Sequence, residues 1–171
     1  MKMQRSAGIL LPVSSLPSPY GIGTIGKAAY EFADFLKRAG QSYWQILPVG
    51  PTSYGDSPYQ SFSTYAGNPY MIDLDMLQEE GLLKKKDYRN LDWGSDPERV
   101  DYATIYNLRF DVLRIAFENA KKRDMTDFTN FVRKNSGWLE NYALYMAVKK
   151  SFGMRAWTCL LYTSDAADEE D

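Results

Sequence analysis

The chain has 171 residues, with 20 basic and 22 acidic side chains, and its formal net charge at pH 7 is −2. This length allows one domain with a hydrophobic core, and the slight negative charge argues against a nucleic-acid-binding surface. The N-terminal apolar run is broken by Pro12. It is too short for a signal peptide or a membrane span, so the sequence predicts no membrane partner.

The chain contains no histidine and a single cysteine, Cys159. A Ser-His-Asp triad and a zinc site with histidine and cysteine ligands therefore cannot form within it. A lone cysteine also excludes an internal disulfide, which is typical of a cytoplasmic protein. Any chemistry must rest on carboxylates or on groups outside this chain.

The first elements form a strand, a helix and a second strand. The apolar runs at residues 7–13 (AGILLPV) and 42–49 (SYWQILPV) predict short, fully buried strands. Residues 27–40 between them predict an amphipathic helix that Gly40 ends. Because the whole unit takes about forty residues, the two strands are expected to be parallel. The apolar face of the helix comprises Ala29, Phe32, Ala33, Leu36 and Ala39.

A long loop over residues 50–69 follows the second strand. Loops of about twenty residues are uncommon in compact domains and are often functional. Residues 70–74 then predict an extended segment, and residues 75–81 predict a short helix capped by Asp75.

The remainder is predicted to be helical, after a polar connector at residues 82–101 that we take as the boundary between the two parts. Three helices are predicted over residues 102–122, 124–135 and 137–153. The first helix is apolar on much of its surface, because two stripes recur at helical spacing. One stripe contains Ile105, Leu108, Val112, Ile115 and Ala116, and the other contains Phe110, Leu113, Phe117 and Ala120.

The C-terminal stretch CLLYTSDAADEED differs from the rest in composition. Its last seven residues include five acids, and the stretch contains no basic residue. It resembles the translation of a sequencing-adapter remnant fused to a truncated reading frame. Residues 158–171 are therefore expected to be a non-native tail, and an ordinary acidic tail is the alternative.

Residues 21–26 (GIGTIG) have the G-x-G-x-x-G spacing of a dinucleotide-binding loop. That loop begins directly after a strand, whereas here Pro12 ends the strand well before Gly21. It also needs an acidic residue about twenty positions later to hold a ribose hydroxyl, and none lies between Asp34 and Asp56. The glycines are therefore predicted to serve turns and close backbone packing at the helix start.

The loop at residues 50–69 combines aromatic rings with hydrogen-bonding side chains. The rings are Tyr54, Tyr59, Phe62, Tyr65 and Tyr70, and the polar side chains are Asp56, Ser57, Gln60, Ser61 and Asn68. This combination suits a sugar, which has an apolar C–H face and a polar edge. A purely structural loop is the alternative. A lone Asp56 cannot perform glycoside chemistry, which needs two carboxylates.

Three segments of the chain, RSAGILLPVSSLPSPYGIGTIG, SYWQILPVGPTSYGDSPYQSFSTYAGNPYMIDLDML and LYMAVKKSFGMRAW, resemble the 4-alpha-glucanotransferases, also called amylomaltases or disproportionating enzymes. The resemblance covers about residues 5–157 and implies an α/β fold, the N-terminal part of an alpha-amylase-type TIM (β/α)8 barrel that is incomplete in this chain. It implies that residues 1–81 form the first βα units with the substrate loop 50–69, and that residues 82–157 form a mainly helical inserted subdomain.

The resemblance implies transfer of an alpha-1,4-glucan segment to the 4-hydroxyl of glucose or a glucan acceptor. In the family an Asp nucleophile forms a covalent glycosyl-enzyme and a Glu acts as acid and base. No metal or organic cofactor is implied, and the implied partners are alpha-1,4-glucans and maltooligosaccharides. Tyr54, Asp56, Ser57 and Tyr59 match the family's YGDSPY segment, which contacts glucose units at the active-site rim.

Gln60 and Ser61 directly follow this segment and are also assigned to the substrate site, while a role for Asp56 in fixing the turn stays equally open. No catalytic residue is assigned in this chain, because the nucleophile and the acid/base are expected on later barrel strands. The expressed chain is therefore expected to be inactive, and aggregated or partly molten, because an open parallel sheet edge is unstable. A non-catalytic glucan-binding module is the alternative function, and the glycine motif opposes a nucleotide-dependent enzyme.

Overall fold

The computed structural model describes residues 5–52, 56–96 and 98–155, and the chain divides into two compact units, Met1–Asp124 and Met125–Asp171. The expected non-native tail lies outside the described residues. The expected boundary between barrel and insertion at residues 82–101 stays a prediction. No helix in the described ranges is long and apolar enough to cross a membrane.

The strand–helix–strand unit predicted from the sequence is confirmed. Strands β1 (Gly8–Leu10) and β2 (Tyr43–Gln45) pair in parallel, with Ile9 opposite Trp44. Helix α1 (Lys27–Arg38) connects the two strands. Its predicted apolar face is buried at Ala29 and Leu36 and half-buried at Phe32, whereas Ala33 and Ala39 are exposed.

The prediction that both strands are fully buried is wrong, and both are shorter than predicted. Leu10 is 55% exposed and Tyr43 is 64% exposed. The sheet in the described part of the chain has two strands, so alternate side chains of each strand have no layer packed over them. β1 ends before Pro12, which has no N–H to donate to a strand ladder and precedes a 3-10 turn over Val13–Ser15.

Gly40 ends α1 as predicted, although it lies one residue beyond the C-cap. The C-cap is Ala39 and Gly40 has a left-handed φ of 69°. The Gly40 N–H donates to the Lys37 carbonyl and the Gln41 N–H donates to the Leu36 carbonyl, at 3.2 and 2.9 Å. These two bonds form the Schellman motif, which glycine favours because it has no β-carbon.

The second helix, α2 (Leu74–Glu79), begins earlier than predicted, and its N-cap is Asp73 rather than Asp75. The Asp73 carboxylate accepts from the Met76 N–H at 2.9 Å. Asp75 is engaged elsewhere, because its Oδ1 accepts the hydroxyls of Tyr20 and Tyr88 at 2.8 and 2.6 Å. The predicted extended segment at residues 70–74 is also wrong, because a 3-10 turn at Pro69–Met71 precedes α2.

The segment predicted as a polar connector contributes large side chains to the main core. A 3-10 turn at Lys85–Asp87 is followed by Tyr88, which is completely buried, and by Trp93, which is 5% exposed. Because polar residues surround Tyr88 and Trp93 in this segment, the sequence did not indicate that the two rings are buried. We define the aromatic core as Tyr20, Ile22, Tyr70, Leu74, Leu83, Tyr88, Trp93, Ile105, Val112 and Ala116.

Helix α3 (Tyr102–Ala120) completes the first unit, and its N-cap Asp101 accepts from the Thr104 N–H at 3.1 Å. The first predicted stripe is largely confirmed, because Ile105, Val112 and Ala116 are buried. The second stripe is only partly covered, because Phe110 and Phe117 are exposed whereas Leu113 packs against the aromatic core.

The second unit contains the last two predicted helices. They are α4 (Thr126–Lys134) and α5 (Ser136–Ser151), and Asn135 stands between them. The Asn135 Oδ1 accepts from the Trp138 Nε1–H at 3.0 Å, which fixes the start of α5. Both helices are therefore confirmed to within a few residues at each end.

Candidate functional site

The loop at residues 50–69 is closed at its base by backbone pairing between its two ends. The Asn68 N–H donates to the Val49 carbonyl at 2.7 Å, and Thr52 forms an antiparallel bridge with Ser61. The packing is close, because a β-carbon on Gly50 would come within 2.6 Å of the Ser61 Oγ. The loop follows β2, and ligands bind at this end of the strands in parallel α/β folds.

A hydrogen-bonded turn lies at the tip of this loop. The Gln60 N–H donates to the Ser57 carbonyl at 3.1 Å, and the Tyr59 N–H donates to the Ser57 Oγ at 3.4 Å. The turn leaves the Tyr59 side chain 73% exposed, next to the exposed side chains of Gln60 and Ser61. An exposed ring beside amide and hydroxyl groups offers a sugar both an apolar face and hydrogen-bonding partners.

Asp56 adopts a left-handed backbone conformation with a φ of 52°. Aspartate tolerates this region better than most residues. The Thr52 hydroxyl donates to its Oδ1 at 3.3 Å. Partial burial raises the pKa of the Asp56 carboxyl above its ordinary value, and the hydrogen bond from Thr52 opposes this shift.

The structure brings the predicted substrate residues together around Thr52 and the turn. Thr52 joins two of them, because its backbone pairs with Ser61 and its hydroxyl contacts Asp56. Tyr54 lies outside the described residues. The described members of the predicted set are Asp56 and Ser57, which are half-buried, and Tyr59, Gln60 and Ser61, which are exposed.

Tyr70 does not offer the open ring that the sequence predicted. Its side chain is 6% exposed because it packs against Tyr102 and Phe110 of α3, with ring centroids 6.3 and 5.9 Å apart. Burial raises the pKa of Tyr70 to about 12, and the negative charge of Asp56 adds to this shift. Burial also raises the pKa of Tyr102, again with a contribution from Asp56. Asp56 therefore lies within electrostatic reach of both rings.

An aromatic surface on α3 that was not predicted from the sequence lies beside Tyr70. Tyr106 and Phe110 are 41% and 39% exposed, and their rings meet edge to face with centroids 5.5 Å apart. Tyr102, Tyr106 and Phe110 are spaced four residues apart, which places them on one helix face. That spacing is the sequence signal that could have identified them.

The glycine motif serves close packing, as predicted. Gly21 has a φ of 75°, and a β-carbon there would come within 2.5 Å of the Trp93 carbonyl oxygen. Gly26, the N-cap of α1, lies against the Asp73 carboxylate, which also accepts from the Thr24 hydroxyl at 2.5 Å. A carboxylate already occupies the helix end that would bind a pyrophosphate, so the structure opposes a dinucleotide site.

A cavity of about 620 Å³ lies beside this motif and is lined by residues 14–19, 21–23, 93–96 and 98–100. Asp96, Glu98 and Arg99 line it, and Arg99 is within 4.0 Å of Asp96. Two carboxylates against one paired guanidinium do not favour phosphate groups. Within the described ranges, no cluster of three or more His, Cys, Asp or Glu side chains could hold a metal ion.

Comparison with known proteins gives the family. The sequence profile of a family described as 4-alpha-glucanotransferase matches residues 11–170. The chain belongs to the 4-alpha-glucanotransferase family.

Two bacterial 4-alpha-glucanotransferases illustrate the similarity. The enzyme of Clostridium butyricum is 53% identical over 145 residues, which are 85% of this chain and 30% of that protein. The enzyme of Thermus thermophilus is 46% identical over 161 residues, which are 92% of this chain and 31% of that protein. This chain therefore spans about three tenths of the length of the 4-alpha-glucanotransferases that it matches.

A solved amylomaltase has a similar three-dimensional structure. It is the enzyme of Streptococcus agalactiae in complex with acarbose, and it superimposes with a TM-score of 0.85 at 45% sequence identity. The match covers 90% of this chain and 31% of the amylomaltase chain. The described fold is therefore the fold of part of an amylomaltase.

Proposed function

We propose that this chain supplies the N-terminal part of a 4-alpha-glucanotransferase. The observation that carries the proposal is the family match, which runs through residues 11–170. In this proposal β1 and β2 are the first two strands of a TIM barrel, and residues 82–157 belong to its inserted subdomain. The lone cysteine suits a cytoplasmic enzyme.

The loop at residues 50–69 is the part of the substrate site that this chain contributes. Tyr59 offers its ring to the apolar face of a glucose unit, while Gln60 and Ser61 offer hydrogen-bonding groups to its hydroxyls. Asp56 and Ser57 stand at the half-buried side of the turn, and Tyr54 completes the segment. The exposure of Tyr59 and the closed base of the loop support this assignment, because a preformed rim loses little entropy when a sugar binds.

The reaction proposed for the whole protein is a retaining transfer in two steps. An Asp nucleophile displaces the reducing-end portion of an alpha-1,4-glucan while a Glu protonates the leaving oxygen, and a glycosyl-enzyme forms. The 4-hydroxyl of an acceptor glucan then attacks this intermediate, and the same Glu takes its proton. Transfer prevails over hydrolysis because a bound acceptor sugar, rather than water, occupies the site next to the intermediate.

The first experiment is to read the source DNA through the codon for Trp157 and to express the complete frame. We expect the purified protein to convert maltotriose into glucose and longer maltooligosaccharides, measured by mass spectrometry of the products. Binding of maltooligosaccharides without turnover would overturn the enzyme proposal and support a glucan-binding module instead.

A pair of variants tests the loop itself. Replacing Tyr59 by Ala removes the exposed ring, and we expect the KM for maltotriose to rise about tenfold because stacking on a sugar face contributes about 1 kcal/mol or more. Tyr30→Ala is the matched control, because Tyr30 is 61% exposed but lies on α1. Equal KM values in the two variants would contradict the role of the loop.

A further inference from the structure

Arg109 is a completely buried cation with incomplete hydrogen bonding. It lies in α3, is 0% exposed, and donates from Nη2 to the Ile72 carbonyl oxygen. Its Nε and Nη1 atoms are also buried, and they have no hydrogen-bond partner among the residues that the structure describes. A buried donor without an acceptor costs free energy, so the two unpaired donors of Arg109 reduce the stability of the fold.

The charge of Arg109 is not stabilised by a direct ion pair among the described residues. Burial lowers the pKa of Arg109 to about 10, and the charges of Asp73 and Tyr70 only partly oppose that shift. Even buried ion pairs are often replaced by apolar residues of similar volume without loss of stability, and Arg109 lacks a direct ion-pair partner among the described residues. Stability alone therefore does not account for an arginine at this position.

The Arg109 side chain is hydrogen-bonded to the turn at residues 68–72, which follows the loop at residues 50–69. The Asn68 Oδ1 accepts from the Tyr70 N–H at 2.9 Å, and the Ile72 N–H donates to the Pro69 carbonyl at 3.3 Å. This turn ends at Ile72, and the carbonyl of Ile72 accepts a hydrogen bond from Arg109. Because Asn68 also closes the loop base through Val49, the arginine connects α3 to the loop closure.

We propose that Arg109 is a positioning residue that holds the substrate loop in its glucan-binding arrangement through the turn at residues 68–72. The hydrogen bond to Ile72 fixes the end of the turn, and Tyr70 in that turn packs against Phe110, the next residue on α3. The role of the loop in glucan binding rests on the proposed function. The contact between Arg109 and the turn at residues 68–72 does not depend on that proposal.

Hydrogen–deuterium exchange of the complete protein tests the link without any substrate. In Arg109→Met we expect the amides of residues 56–72 to exchange about tenfold faster, because a hydrogen bond to a charged group is lost. The melting temperature is expected to stay the same or rise. Arg109→Lys keeps one charged donor and is expected to restore part of the protection. Arg114→Met is the matched control, because Arg114 is exposed on the same helix, and its exchange should equal that of the parent.

Two results would overturn the proposal. One is unchanged exchange at residues 56–72 in Arg109→Met, which would mean that the loop does not depend on the arginine. The other is a large fall in melting temperature with faster exchange throughout the unit Met1–Asp124, which would make Arg109 a general stabilising residue.

Kinetics with maltotriose separate this inference from the proposed function. We expect Arg109→Met to raise KM about tenfold and to leave kcat within about twofold of the parent value, because only binding by the loop is weakened. A parent protein without transfer activity would overturn the proposed function, and the exchange experiment would still decide the role of Arg109. A fall in kcat with unchanged KM would contradict positioning through the substrate loop.

Discussion

In the described part of the first unit, two hydrophobic regions differ in how completely they are closed. The aromatic core buries ten side chains from loops, turns and helices. The second region, which we call the sheet cluster, buries three of the described side chains, Val13, Leu16 and Ala29. Around the sheet cluster, Leu10 and Tyr43 on the strands and Tyr30 on α1 remain 55%, 64% and 61% exposed.

Three polar groups of the aromatic core have hydrogen-bond partners. Tyr20 and Tyr88 share the Asp75 carboxylate, and the Trp93 indole donates to the Tyr88 carbonyl at 2.9 Å. Helices and connectors, rather than the strands, therefore supply most of the buried apolar side chains in the described part of this unit. That the chain alone aggregates stays a prediction.

The largest expected effect comes from opening the aromatic core. Tyr88 is completely buried, so Tyr88→Ala should lower the free energy of unfolding by about 3–5 kcal/mol, the usual cost of deleting a buried ring. Tyr43→Ala makes the same substitution on the exposed side of β2 and should change it by no more than about 0.5 kcal/mol. Urea unfolding followed by tryptophan fluorescence measures both. Similar losses would contradict the contrast between the two regions.

A glycine pair separates close packing from backbone strain. Gly21 and Gly40 both have a left-handed φ, so an alanine at either position costs about 1–2 kcal/mol of strain. At Gly21 the new β-carbon also overlaps the Trp93 carbonyl, whereas nothing lies within 4 Å at Gly40. Gly21→Ala should therefore lose about 2–4 kcal/mol in urea unfolding. Equal losses would show that the aromatic core can move away from Gly21.

The smallest expected effect is a pH dependence that originates in Tyr70. Its pKa of about 12 in the folded chain lies above the ordinary value of 10.0, so the folded state holds this proton more tightly. The protonated Tyr70 phenol contributes fully to the free energy of unfolding below pH 10. About 2 kcal/mol of that contribution is lost as the pH rises towards 12. In Tyr70→Phe the free energy of unfolding should fall less over this range. Identical pH profiles of parent and variant would contradict the burial of this phenol.

The strand–helix–strand unit, which contains α1, and the four later helices α2 to α5 could be predicted because their signals are local. The apolar periodicity of α1 and α3 and the glycine at residue 40 predict the element and its end without knowledge of the rest of the chain. The strand lengths and their burial could not be predicted, because burial depends on what packs over a strand. The sequence places the N-cap of α2 at Asp75, whereas the structure places it at Asp73. The local sequence does not show that the Asp75 carboxylate accepts the hydroxyls of Tyr20 and Tyr88, which are distant in sequence.

The candidate site was predicted in its residue types and only partly in its geometry. The aromatic and polar composition of residues 50–69 indicated a sugar site, and that assignment stays a prediction. The structure shows that the Tyr59 side chain is exposed. The burial of Tyr70 beneath α3 was not predictable, because its partners Tyr102 and Phe110 lie more than thirty residues further along the chain. The same holds for Arg109, whose contact with Ile72 spans 37 residues.

The family, the parallel strand pair, the helices and the chemical character of the loop are all encoded in contiguous residues and could be inferred from the sequence. Which aromatic rings are buried in the core and which remain exposed depends on the tertiary structure. The tertiary structure also decided which carboxylate caps α2 and which cation donates to the Ile72 carbonyl. These outcomes depend on atoms from distant segments that compete for the same space and the same hydrogen bonds, and local sequence does not record that competition.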